Sequence, residues 1–292
     1  MDVDAYSSHS RFSDPGSHAD ALAAIPIDTR ILHTVTMQTI LHYRAGAVAA
    51  TARQWNDIDL RWVSAILDVA AERSGATPSA QRDPADRVGG CCRDHSLLAV
   101  AILRQHGIPA RTRVGFADYF TPDFHHDHVV VEQWDRWDGR WRRWDPELAE
   151  GDRAFDVWDM RKGPRSPFAT ASEVWREHRE GRIDVSTYGV DPALPELAGS
   201  SFVQRYVVTE LAHRMKHEML LWDTWDNGLD VTELVDRIAD LMVRADDGDF
   251  EAEREAATLW RDRLQPGATV RTWSPSGRVG VTDLESRVTT WT

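Results

Sequence analysis

Cysteine is almost missing from this 292-residue chain, and the two that occur are neighbours, Cys91 and Cys92, in GGCCRDHSLLAVAILRQHG. Adjacent cysteines rarely reach the dihedral angle of a relaxed disulfide, so a disulfide framework is excluded and both are expected as thiols. Lysine is equally scarce, with Lys162 and Lys216 alone, and arginine carries nearly all the basic charge, a bias to which we attach no function. The formal net charge of −13 would repel phosphate backbones, which excludes nucleic acid as an expected partner. No apolar run approaches the length of a bilayer-spanning helix. The opening MDVDAYSSHSRFSDPGSH lacks the basic start and apolar centre of a signal peptide, so a cytoplasmic protein with no membrane partner is expected. A phosphate-cradling glycine loop is also missing. Trp-Asp occurs six times, but too irregularly for propeller blades, which repeat at about 40 residues.

What is present reads as an ordered globular chain, 42% hydrophobic and 28% charged. Residues 1–18 are expected as a loose tail, residues 19–160 as the core, and residues 161–292 as a mainly helical extension packed on it. Apolar residues at three- and four-residue spacing predict helices over 29–53 and 56–73, followed by a polar loop over 74–90. Leu97, Leu98, Ala101 and Ile102 make an apolar helical face, which Gly107 and Pro109 stop. Alternation predicts strands over 110–116, 128–134 and 140–144. Further helices are predicted from Ser172 to Gly181, Ser201 to Leu221, Val231 to Val243 and Glu251 to Leu264, and the chain beyond Pro266 is weakly patterned. Helix followed by antiparallel strands gives an α+β fold class.

The chemistry centres on the cysteines. A cysteine in the first turn of a helix sits among unpaired backbone N–H groups at the positive end of the dipole, which favours thiolate and can hold an oxyanion. It then needs an imidazole base, itself held by a carboxylate or amide. His125, His126 and His128 precede one strand and Asp145 ends the next. A two-residue turn at Asp138-Gly139 would set Asp145 opposite Glu132, leaving His128 about 13 Å away at ~3.3 Å per residue. A longer loop or a bulge over 135–139 would bring His128 and Asp145 together. Zinc could use the two thiols and the three histidines, but vicinal cysteines lack the usual spacer. Packing remains the plain alternative for each thiol.

The order Gly90-x-Cys92-x-Asp94, an apolar helix, Gly107-Ile108-Pro109-Ala110-Arg111, Gly115-Phe116, His128-x-x-Val131-Glu132, then Trp141-x-x-x-Asp145-Pro146 resembles the transglutaminase-like superfamily. The resemblance covers about residues 88–150. It implies a papain-like core with a catalytic Cys92–His128–Asp145 triad, the nucleophile helix packing on an antiparallel sheet. It makes Cys92 the nucleophile and Cys91 the residue before it, and His95 departs from the usual aromatic after Asp94. The implied reaction is acyl transfer through a Cys92 thioester on a small-molecule or peptide substrate carrying an amide or acyl group. Water as acceptor gives an amidase or peptidase, and an amine gives an amide-forming transferase. No cofactor or metal is expected. A silent peptide- or acyl-binding module and a zinc-binding protein are the alternatives.

Overall fold

The computed structural model describes residues 3–45, 48–75, 78, 80–163, 165–225 and 232–292. Its N-terminal segment corrects the expectation of a loose tail. Phe12 is fully buried, the Tyr6 hydroxyl donates to the Arg214 carbonyl at 3.1 Å, and Arg104 donates to Ser13 Oγ at 2.9 Å. Two aromatic anchors outweigh an otherwise polar composition.

Helices α1 (Ala19–Ala23) and α2 (Thr29–Thr39) follow, the latter capped by Asp28, whose carboxylate accepts from Arg30 N and Ile31 N. The single helix expected over 29–53 ends early. Strand β1 (Ile40–His42) pairs in parallel with β2 (Val88–Gly90), and helices α3 (Ala52–Asp57) and α4 (Val63–Ser74) lie between them in sequence. Tertiary strand pairing here overrides a helical period. Helix α5 (Cys92–Gln105) is buried at every position from Cys92 to Arg104, its charged residues Arg93, Asp94 and Arg104 included.

The strands that follow form the main sheet: β3 (Ala110–Thr121), β4 (Phe124–Asp135), β5 (Arg140–Trp144) and β6 (Phe168–Thr170), in the order β5-β4-β3-β6. The three pairings in this order are antiparallel, and α5 packs on β3 and β4. This is the predicted α+β core, with β3 and β4 extending further than their alternation suggests. Helix α6 (Ala171–Arg179) is capped by Thr170 rather than Ser172, since Ser172 gives its hydroxyl to Glu210 at 2.6 Å. A short strand β7 (Tyr188–Gly189) runs parallel to the start of β4.

Helices α7 (Ser200–Arg214), α8 (Thr232–Asp246) and α9 (Phe250–Leu259) continue the chain, with β8 (Asp223–Thr224) between α7 and α8. The helix start expected at Val231 lies outside the described residues. The weak pattern beyond Pro266 resolves into three antiparallel strands, β9 (Thr269–Trp273), β10 (Val279–Asp283) and β11 (Val288–Trp291), joined to β8. The extension is therefore helical only up to Leu264. Val, Thr and Trp in four- and five-residue runs fit a half-buried pleat, but the runs are too short to stand out by period.

The extension is tied to the core by buried charge. Arg113, on β3, donates to Glu210 at 2.7 Å and to Asp246 at 2.8 and 2.5 Å, and Arg214 donates to Asp246 at 2.6 Å. Glu132 accepts from Arg111 at 2.8 Å and Arg143 at 3.0 Å. Among the described residues, no helix is long and apolar enough to cross a membrane.

Candidate active site

The glycines before the cysteines are required by close approach. A Cβ on Gly89 would lie 2.1 Å from the Gln54 carbonyl oxygen, and one on Gly90 would lie 2.8 Å from Asp94 Oδ2. That Asp94 oxygen accepts from Cys91 N at 2.8 Å and caps the start of α5, so Asp94 is both first-turn acid and structural acceptor. Arg93 is fully buried. Its guanidinium donates to Asp94 at 2.7 Å, to the Arg61 carbonyl at 2.6 Å and to the Glu218 carbonyl at 3.1 Å, which fixes the first turn. Cys92 opens the helix, 4% exposed, beside Cys91, and both are free thiols. One turn later, Ser96 donates to the Val129 carbonyl at 2.7 Å. Residues four apart share a helix face, so this bond holds the Cys92 face of α5 against β4 next to His128.

His128 sits on β4 opposite Gly115. Its Nε2 meets Asp145 Oδ2 at 2.8 Å. The Asp138-Gly139 hairpin is wrong, as this pairing requires. Asp135 pairs with Arg140 across a four-residue loop, and its carboxylate accepts from Trp137 N and Asp138 N at 2.9 and 3.2 Å, turning the chain earlier. Trp144 then pairs with Val131. Asp145 falls just past the strand end, about two residues along the same face from His128, a gap of ~7 Å that the side chains close.

Asp145 Oδ2 also accepts from the Tyr119 hydroxyl at 2.6 Å, and Oδ1 accepts from Glu147 N at 2.8 Å. Burial opposes charge on this carboxyl, but His128, Tyr119 and the Glu147 amide outweigh it and hold it below the usual carboxylate range. For His128 burial likewise opposes the charged form, and Asp145, then Glu147 and Asp127, override it and raise the imidazole. With Nε2 committed to Asp145, Nδ1 has no hydrogen-bond partner among the described residues. Phe120 lies edge-on to the ring at 5.0 Å.

The first turn of α5, expected to favour thiolate, is outweighed. The Cys92 thiol is pushed well up, first by its hydrogen bond with Cys91, then by burial and by the Glu147 and Asp127 carboxylates. Among the described residues no hydrogen bond joins its sulfur to His128. Iodoacetamide labelling, located by mass spectrometry across a pH series, is therefore expected to reach Cys92 slowly at neutral pH. The rate should climb only above the usual thiol range of about 8.5. Fast labelling at neutral pH would mean instead that a thiolate–imidazolium pair already exists at rest.

His125 stacks on Tyr188 at 4.0 Å, and His126 spans the Val190 carbonyl and Thr121 Oγ1 at 3.0 and 2.9 Å, so neither joins His128. The zinc set of two thiols and three histidines is not assembled. Three residues of the site were not read from sequence: Tyr119, Ser96 and Glu147. Glu147 Oε2 lies 3.9 Å from His128 Nε2, and burial first, then Asp145 and Asp94, push its carboxyl up to about 8 against the opposing pull of His128. His95 is fully buried and its ring nitrogens make no hydrogen bond, Nε2 being 3.5 Å from Glu147 Oε1. Of the hairpin tryptophans, Trp144 is buried, Trp134 and Trp141 pack edge-on at 5.5 Å, and Trp137 at the tip is 92% exposed.

Residues 46–146 match the Transglutaminase-like superfamily, a span that holds Cys92, His128 and Asp145. The matched span takes in α5 and strands β3 to β5. A crystal structure from Cytophaga hutchinsonii, provisionally named a cysteine protease, is 18% identical with a TM-score of 0.30, over 50% of this chain and 42% of that one. The comparison with curated proteins found no match.

Proposed function

We propose that the protein is a cysteine-dependent acyl-transfer enzyme in which Cys92 is the nucleophile, His128 its base and Asp145 the group that orients the imidazole. The observation that carries this reading is the 2.8 Å bond from His128 Nε2 to Asp145, which leaves Nδ1 as the acceptor for a proton. Asp145 stabilises the imidazolium as it forms. Because the thiol is the resting form, His128 takes the Cys92 proton as sulfur attacks the carbonyl carbon of an amide or ester. The Cys92 backbone N–H, at the open start of α5 and without a partner among the described residues, receives the oxyanion. Collapse of the tetrahedral adduct breaks the bond to the leaving group, which takes the proton from His128, and a Cys92 thioester remains. Water or an amine then attacks the thioester and returns the thiol.

The test is a single-turnover incubation with a p-nitrophenyl acyl ester, followed by intact and peptide mass. An acyl adduct on Cys92 that decays in water and is diverted by hydroxylamine supports the reading. An equal adduct yield in Cys92→Ala, or acylation elsewhere, refutes it. A silent binding module would give no adduct in either protein.

A further inference from the structure

Three side chains at the site carry nitrogen and oxygen atoms within reach of a single metal ion. His128 Nε2 and carboxylate oxygens of Asp145 and Glu147 lie within 4.8 Å of one another. His95 Nε2 stands 3.5 Å from Glu147 Oε1. A tetrahedral ion with bonds of about 2.0–2.1 Å needs ligand atoms roughly 3.4 Å apart. The separations of His128 Nε2 from Asp145 and Glu147, 2.8 and 3.9 Å, reach that spacing by sub-ångström shifts.

Two observations outside this spacing point the same way. His95 is wholly buried with neither ring nitrogen hydrogen-bonded, and a bound ion is among the ordinary reasons for such a group. Glu147 receives no hydrogen bond on its carboxylate among the described residues, although it lies beside Asp145 and faces two imidazoles. The triad accounts for neither residue. We infer that His128, Asp145 and Glu147 form a site for one divalent transition ion of the zinc class, with His95 beside Glu147 to position its carboxylate, filled at the expense of the catalytic pair. One imidazole nitrogen and two carboxylate oxygens, with a fourth position open, suit such an ion, and the carboxylates balance its charge.

Occupancy switches the enzyme off, a consequence that rests on the acyl-transfer reading above. The ion takes the Nε2 lone pair of His128, the ring proton then resides on Nδ1, and the nitrogen that would accept the thiol proton is blocked.

The full chain, treated with chelator and freed of it, would be titrated with Zn²⁺ by calorimetry and with Co²⁺ by absorption. One equivalent is expected to bind. His95→Phe and Glu147→Gln should each weaken binding by about tenfold or more, while Cys91→Ala leaves it unchanged. Glu147→Asp, which keeps the charge and shortens the reach, serves if either variant does not melt like the parent in the absence of metal, and it too should weaken binding. Zn²⁺ should stop acylation of Cys92 at the concentration where it saturates the protein. The inference is overturned by the lack of saturable binding, by unchanged affinity in the variants, by an intense cobalt–thiolate band lost in Cys91→Ala, or by undiminished acylation of the zinc-bound protein. A parent that never acylates would count against the acyl-transfer reading alone, because the binding series decides the site by itself.

Discussion

His128→Ala is expected to slow acylation of Cys92 by about 10²–10⁴-fold, the range of a positioned general base. Cys91, burial and two carboxylates keep Cys92 protonated, so a proton must leave while sulfur attacks. His128, next to the Val129 carbonyl that Ser96 of α5 holds, is oriented by a carboxylate and has an Nδ1 without a partner among the described residues. Asp145→Asn should approach the same loss. A carboxamide can offer an N–H to Nε2, which would move the ring proton to Nδ1, the wrong nitrogen. Time-resolved intact mass measures both variants. If His128→Ala acylates at the parent's rate, His128 is not the base, whatever its distance from Asp145.

Asp246→Asn is expected to lower folding stability by about 3–5 kcal/mol, measured by urea unfolding at neutral pH. Removing one partner from a buried ion cluster leaves the others uncompensated. Asp246 accepts from Arg113 and Arg214, with Arg111 at 3.3 Å. Burial opposes the Asp246 charge, but Arg113, Arg214 and Arg111 outweigh it and hold the carboxyl well below its usual range. A carboxyl depressed in the folded state stabilises the protein above its unfolded pKa of about 4, and that contribution fades as pH falls toward the folded value. The gap between parent and variant should therefore be full at pH 7 and narrow progressively below about pH 4. Unfolding curves that fall in parallel through that range would show that Asp246 is not the group being titrated.

How much of this was legible in the sequence depended on how local each feature is. The start of α5 could be read because glycine, cysteine and aspartate there act on one another within five residues. The pairing of His128 with Asp145 turned on loop length, and Asp135 decided it by capping Trp137 N and Asp138 N. An aspartate-glycine pair is the stronger short-range hairpin sign, and it misled. Tyr119 reaches Asp145 only through the β3–β4 pairing, which no spacing within one strand reveals. Glu147 follows Asp145 by two residues, but only burial beside His128 distinguishes it from a surface acid. Phe12 and Tyr6 were hidden by polar neighbours, and the C-terminal strands by their shortness.

The grip of Glu218 on the nucleophile helix sets an order of assembly. Its carbonyl holds Arg93 beside Cys92, and its carboxylate holds Arg104 at the far end of α5, at 2.8 Å. Both arginines lie within the span that matches the superfamily, whereas Glu218 lies more than seventy residues beyond it. During synthesis Cys92, His128 and Asp145 therefore emerge well before the clamp that seats α5. Contacts this distant in sequence close late. A nascent chain stopped after residue 146 would display the cysteine pair on an unseated helix, and the mature surroundings of Cys92 await the last third of the polypeptide.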